Sequence, residues 1–300
     1  MTQRLTFSTA MLLTVPPLLW AGNAVVGRLM ADSVPPITLN FLRWALAGIF
    51  LLPFTAWVLA RGSGLWAHWK RFAVLGLLGV GLYNSLQYLA LKTSTAVNVT
   101  LIAASMPVWM LAMGALFFNQ RVTARQIAGA VLSIAGVLVV ISRGDWETLA
   151  QVRLVVGDIY VLIAAASWSL YSWLLTPRVD DPPAIRADWA AFLMAQVVMG
   201  TAWSGLFTAA EWSLADVQIR WSWSVAAALI YIALGPAILA YRCWGLGVQR
   251  AGANAAAFFS NLTPLFAAVL SAAFIGEAPH LYHAIAFLLI VGGIVVSSRK

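Results

Sequence analysis

Residues 95–117 read TAVNVTLIAASMPVWMLAMGALF, a run without one charged side chain. As a helix at 1.5 Å per residue it is roughly 35 Å long, enough to cross the roughly 30 Å hydrocarbon core of a bilayer. The run does not alternate at period two, so it is not a barrel strand. Nine more runs qualify as spans: 9–30, 37–60, 72–91, 124–142, 156–176, 187–209, 224–244, 252–275 and 281–297. The expectation is an all-α membrane protein with ten transmembrane helices. The first run is too long for a signal-peptide core and reads as a retained helix.

Composition agrees. The 300 residues are 62% hydrophobic and 9% charged. Soluble domains are about half apolar and about a quarter charged. No soluble fold of this size hides so much apolar side chain. The formal charge of +8 is spread over many short connectors, which does not point to a nucleic-acid partner. Cys243, the single cysteine, makes no intrachain disulfide and fits no metal pattern. No cofactor or metal is expected, and the partners are the lipid bilayer and a small-molecule substrate.

Lys and Arg set the orientation. With a cytoplasmic N-terminus, twelve of them (Arg4, Arg61, Lys70, Arg71, Arg121, Arg125, Arg178, Arg186, Arg242, Arg250, Arg299, Lys300) fall inside. Five (Arg28, Lys92, Arg143, Arg153, Arg220) fall outside, and Arg43 lies within the second span. Both termini are therefore expected in the cytoplasm. Trp57, Trp66, Trp69, Trp146, Trp212, Trp221 and Trp223 stand at span ends, as an interfacial belt requires.

The chain also repeats weakly. An offset of 157 sets Pro107 on Pro264, Ser105-Met106 on Leu262-Thr263, Gly136 on Gly293 and Gln120 on Glu277. The tails Val139–Arg143 and Val295–Arg299 match with a one-residue slip, and Trp20-Ala21-Gly22-Asn23 resembles Trp168-Ser169-Leu170-Tyr171. Two units follow, residues 1–147 and 148–300. Each holds five spans, and an odd number forces them into opposite orientations. The expected architecture is two inverted five-helix repeats around a central cavity. Both repeats are on one chain, so a monomer is expected.

This arrangement, with Trp20-Ala21-Gly22-Asn23 in the first span and Pro36 followed by Arg43 in the second, resembles the drug/metabolite transporter superfamily. Within it the chain is similar to the EamA-type ten-helix exporters of the bacterial inner membrane. Gly276-Glu277 also matches the family pattern. Asn119-Gln120 departs from it, since a glutamate is common there. The richness in aromatics resembles the aromatic amino-acid exporters of the group (the YddG type). The resemblance implies export of amino acids, related metabolites or drugs through a cavity that opens alternately to each side.

Transport needs polar and flat groups at mid-membrane, where they are costly unless they face a cavity or a partner. The candidate substrate contacts are Trp20, Asn23, Tyr83, Gln87, Asn98, Ser105, Trp109, Trp168, Tyr171, Tyr241, Asn254 and Asn261. Tyr83 and Gln87 stand four apart on one helix face. The asparagines serve equally well as hydrogen-bond ties between helices. Pro107, Pro264 and Pro236 each remove a helical hydrogen bond, giving a static kink or a hinge. Arg43 is the deepest cation. It is a candidate contact for a substrate carboxylate, and equally a tie to backbone carbonyls or a side chain that snorkels to the surface.

No Asp or Glu lies in the middle third of any span, and His68, His280 and His283 are in connectors. Proton coupling through a buried carboxylate is thereby disfavoured against facilitated export. The scarcity of buried cations argues against polyphosphate substrates. An intramembrane enzyme would need a nucleophile with a base, paired carboxylates or a metal motif, and the spans contain none. A non-transporting receptor has no use for two matched broken halves.

Overall fold

The computed structural model describes residues 5–90, 92–94, 96–145, 147–150, 153–275 and 280–298. Arg4, Trp146, Gly276, Glu277, Arg299 and Lys300 lie outside the described residues. All regular structure among the described residues is helical. We label the principal helices α1 (Phe7–Leu29), α2 (Pro36–Thr55), α3 (Trp69–Ala90), α4 (Ala96–Ala103), α5 (Met106–Phe117), α6 (Ala124–Ser142), α7 (Val156–Leu174), α8 (Trp189–Leu214), α9 (Trp223–Ala251), α10 (Ala253–Leu270) and α11 (Leu281–Ser298).

Helix occupies all ten expected segments, and eight helices among the described residues are long and apolar enough to cross a membrane. The other two segments depart for physical reasons. Segment 95–117 is broken at Ala104-Ser105 into α4 and α5. Segment 156–176 forms α7, whose serines and aromatics dilute its hydropathy. Ser169, Ser172, Trp168 and Tyr171 on it are buried against other helices, so they never meet lipid. Trp57, Trp66 and Trp69 at one end of the bundle, and Trp212, Trp221 and Trp223 at the other, are exposed. That is the position of an interfacial belt.

Local signals fix the helix ends. Thr123 and Gln126 form a reciprocal capping box at the start of α6. The Asp188 carboxylate accepts from the Ala190 backbone N–H at 2.8 Å and starts α8. Arg143 ends α6 in the left-handed region, at φ 53°.

Helix packing is reciprocal. α1 packs on α9 as α3 packs on α7, and α5 on α7 as α10 on α1. The most extensive contact joins α6 to α11. A Cβ on Gly129 would lie 2.7 Å from the Gly293 carbonyl oxygen, and one on Gly136 2.9 Å from that of Ala286. Gly129 is the offset mate of Ala286, and Gly136 that of Gly293. Each contact therefore has its twin, and later residues of α6 meet earlier ones of α11. The two helices run antiparallel. A twofold axis across them produces this pattern, and it supports the inverted repeat read from the sequence. With backbones this close, Gly129→Leu is expected to abolish recovery of folded protein, checked by the monodisperse peak in size-exclusion chromatography.

The breaks repeat as well. α4 gives way to α5 at residues 104–105, and α10 tightens to a 3₁₀ turn at Ser260–Leu262, the same place at the offset. Pro107 and Pro264 thus stand in the first turn after a break, where a missing N–H costs nothing. The sequence places both inside continuous spans; in the structure Pro107 instead begins a new helix, α5, while Pro264 follows a 3₁₀ turn inside α10. A second pair of irregularities is π-helical, Leu77–Leu82 in α3 and Ala233–Leu239 in α9. Gly79 and Pro236 occupy matching positions in them. Wide turns of this kind loosen the helical hydrogen-bond ladder and are frequent at functional sites.

Candidate functional site

Between the halves lies a cavity of about 980 Å³. Trp20, Asn23 and Gly27 of α1, Tyr83, Asn84, Gln87 and Tyr88 of α3, Thr100 of α4, and Ser260, Asn261 and Pro264 of α10 line it. Its mouth reaches Asp32, Lys92 and Ser94, in the connectors that follow α1 and α3. Mostly apolar walls with a few fixed polar groups are the usual make-up of a small-molecule site.

Arg43, Asn84, Tyr88, Asn23 and Tyr241 form one network. Arg43 Nη1 donates to Asn84 Oδ1 at 2.9 Å and to Tyr88 Oη at 3.4 Å. Tyr88 donates to Asn23 at 3.0 Å, and Asn84 donates to Tyr241 at 3.3 Å. Gln87 donates to Tyr83 at 3.1 Å. The irregular turns supply carbonyls. Tyr241 donates to Gly79 O, Trp20 to Pro236 O at 3.3 Å, and Asn40 to Val80 O at 2.9 Å. Asn261, at the break of α10, donates to Ala104 O at 3.3 Å, at the break of its mate. Backbone freed within a membrane must find such partners.

Below the cavity an aromatic layer closes the path. Trp168 is fully buried at its centre. Its rings lie 5.2 Å from Trp20, 4.6 Å from Tyr83, 5.1 Å from Tyr171, 5.3 Å from Tyr241 and 5.5 Å from Trp244, centroid to centroid. These spacings suit edge and offset contacts. The Trp168 indole N–H has no hydrogen-bond acceptor.

Beyond this plug, at the end opposite the mouth, the halves are tied by charge. Arg71 at the start of α3 makes an ion pair with Asp181, in the α7–α8 connector, and also donates to Asp181 Oδ2 at 3.0 Å and to Leu174 O at 3.3 Å. Arg186 lies 3.9 Å from the same carboxylate, donates to Leu175 O at 2.7 Å, and covers the Phe192 ring at 4.3 Å. Burial lowers the Arg186 guanidinium below its usual range, although Asp181 acts against it.

A profile of the EamA-like transporter family matches residues 7–142 and again residues 155–299. The chain belongs to the EamA-like transporter family. This EamA-like protein is a transporter and not an enzyme, and it is multi-pass. It is 26% identical to an uncharacterized transporter of Archaeoglobus fulgidus, over 97% of this chain and 98% of the relative. It is 26% identical to the aromatic amino acid exporter YddG of Ancylobacter novellus, over 94% of this chain and 93% of that one. A crystal structure superposes with a TM-score of 0.73, covering 96% of each chain at 23% identity, which shows the fold.

In this EamA-like transporter, Trp20, Asn23, Tyr83, Gln87 and Asn261 come together on the cavity wall, with Pro264 beside them. Trp168, Tyr171 and Tyr241 lie in the plug. Ser105, Trp109 and Asn254 do not line the cavity; the Ser105 hydroxyl caps Ile102 O at 2.5 Å. Asn98 is on α4, and its side chain lies outside the described residues. Pro236 sits in the π-helical turn. Arg43 is fully buried and does not snorkel, and its hydrogen bonds go to side chains, not to backbone carbonyls. The candidate residues omit Asn84, Tyr88 and Thr100 on the wall, and the Arg71–Asp181–Arg186 cluster. Asn84 and Tyr88 flank the Tyr83/Gln87 face. Pairing of Arg71 with Asp181 across 110 residues leaves no local signal.

Proposed function

We propose that this transporter exports small organic solutes, foremost amino acids with aromatic or neutral side chains, by alternating access and down the solute's own gradient. We place it in the bacterial inner membrane as a monomer with both termini cytoplasmic. The cavity mouth then faces away from the cytoplasm, and the ion cluster seals the cytoplasmic side. One observation carries the reading. A cavity lined by Trp20, Asn23, Asn84 and Gln87 ends on a plug that contains their repeat mates Trp168, Tyr171, Tyr241 and Trp244.

Trp168 corresponds to Trp20 in the repeated Trp-x-x-x, and Tyr241 is the mate of Asn84 at the offset of 157. Exchanging the conformations of the two halves turns wall into plug and plug into wall. Trp168 and Tyr241 then face a cavity open to the cytoplasm. The bare Trp168 N–H supports this. A buried donor without an acceptor costs about 1–3 kcal/mol, which access to water relieves. Bound solute shifts the balance only through different affinities for the two states.

The test is uptake of labelled phenylalanine, tryptophan, threonine and a sugar phosphate by purified protein in liposomes, with and without a proton gradient. Saturable amino-acid uptake without a gradient is expected. Flux of the sugar phosphate alone overturns the substrate class, and strict dependence on the gradient overturns facilitation. Trp20→Ala and Tyr83→Ala are expected to raise the KM for phenylalanine, each by about 2- to 10-fold, since an aromatic pair contributes about 0.5–1.5 kcal/mol beyond burial. Unchanged KM in both removes these walls from the site.

A further inference from the structure

We propose that Arg43 selects substrates by their carboxylate, so that the ligand class is small organic carboxylates whose amino group is dispensable. The proposal rests on the cavity reading above. The guanidinium is wholly buried, seven residues into α2, roughly 10 Å along the helix. It has no acidic partner among the described residues. Nε and Nη2 have no hydrogen-bond acceptor, and Nη1 alone is used. Both residues that accept from Nη1, Asn84 and Tyr88, line the cavity. A full positive charge therefore stands one hydrogen bond behind the wall with two donors unmet.

A charge held so deep without a counter-ion marks a functional site; the Trp44 ring, 5.2 Å from the Arg43 Cζ, is a neutral neighbour that leaves the charge uncompensated. Its field acts through a low-dielectric wall, where attraction for an anion is strong and salt screens little. The other charges facing the cavity, Asp32 and Lys92, are opposite in sign and sit at the mouth. The net preference at the cavity floor is thus for an anionic group. A flat aromatic body rests against Trp20 and Tyr83 while its carboxylate points to the Asn84–Tyr88 edge. A single guanidinium matches one carboxylate, in keeping with the charge-assisted pairing that arginine favours.

The experiment compares three probes that share a phenyl ring and chain: phenylalanine, 3-phenylpropanoate and phenethylamine. Each is tested for inhibition of labelled phenylalanine uptake and for thermal stabilisation of the detergent-purified transporter. The wild type is expected to be inhibited and stabilised by both carboxylates, and about tenfold or more less by the amine. Arg43→Gln is expected to lose that preference, while Arg43→Lys retains part of it. Equal action of acid and amine on the wild type overturns the proposal even if Arg43→Gln fails to fold. So does an Arg43→Gln protein that keeps the acid preference. A wild type that carries no amino acid and is stabilised by none of the probes fails the cavity reading itself, a distinguishable result.

Discussion

Trp168→Ala is expected to lower the unfolding free energy by about 3–5 kcal/mol and to reduce phenylalanine flux below detection. The side chain is fully buried and touches five other aromatic rings, contributed by α1, α3, α7 and α9. Truncation leaves a hole in an aromatic layer to which both halves contribute. The same residue is the repeat mate of Trp20, so its loss damages the plug in one state and the cavity wall in the other. Thermal denaturation in detergent checks the first effect and liposome flux the second. Trp168→Phe separates them: most of the stability returns, but the flux stays low. Wild-type flux in Trp168→Ala would show that the layer is neither gate nor wall.

Asp181→Asn is expected to open the side that the ion cluster closes. Asp181 is buried between Arg71 and Arg186, and its neutralisation leaves two cations facing each other. Breaking a buried pair from one side costs about 3–5 kcal/mol, because the remaining charge is uncompensated. The state with the cluster apart and hydrated escapes that cost, so the population shifts toward it. A suitable reporter is Ala240→Cys in a Cys243→Ala background. Ala240 is fully buried and is the offset mate of the wall residue Tyr83. A hydrophilic maleimide is expected to label it slowly with Asp181 present, and about tenfold or more faster in the Asp181→Asn variant. Equal labelling would mean that the cluster is only a surface staple.

Much of the fold was legible because a bilayer imposes length and apolarity on each span. The repeat was legible through Pro107 and Pro264, although Pro107 marked a helix restart and Pro264 a tightened turn within a helix. The π-helical turns were not legible. Gly79 and Pro236 share the offset, but neither residue type by itself specifies a wide turn. Of the cavity wall, Trp20, Asn23, Tyr83, Gln87 and Asn261 followed from polarity and depth. Trp168 and Tyr241 are shut away in the aromatic layer; in the proposed alternating access they line the cavity of the other state. Asp181 looked like any connector acid, because its partner Arg71 is distant in the chain.

Counterflow is the most direct test of alternating access. Liposomes containing the purified transporter are loaded with unlabelled phenylalanine and diluted into a trace of labelled phenylalanine, with no proton gradient. A carrier with one cavity exposed to each side in turn must show a transient accumulation of label above the external level. Such an overshoot, absent from empty liposomes, is the predicted result. Label that only equilibrates, at a rate indifferent to the internal load, would contradict the account.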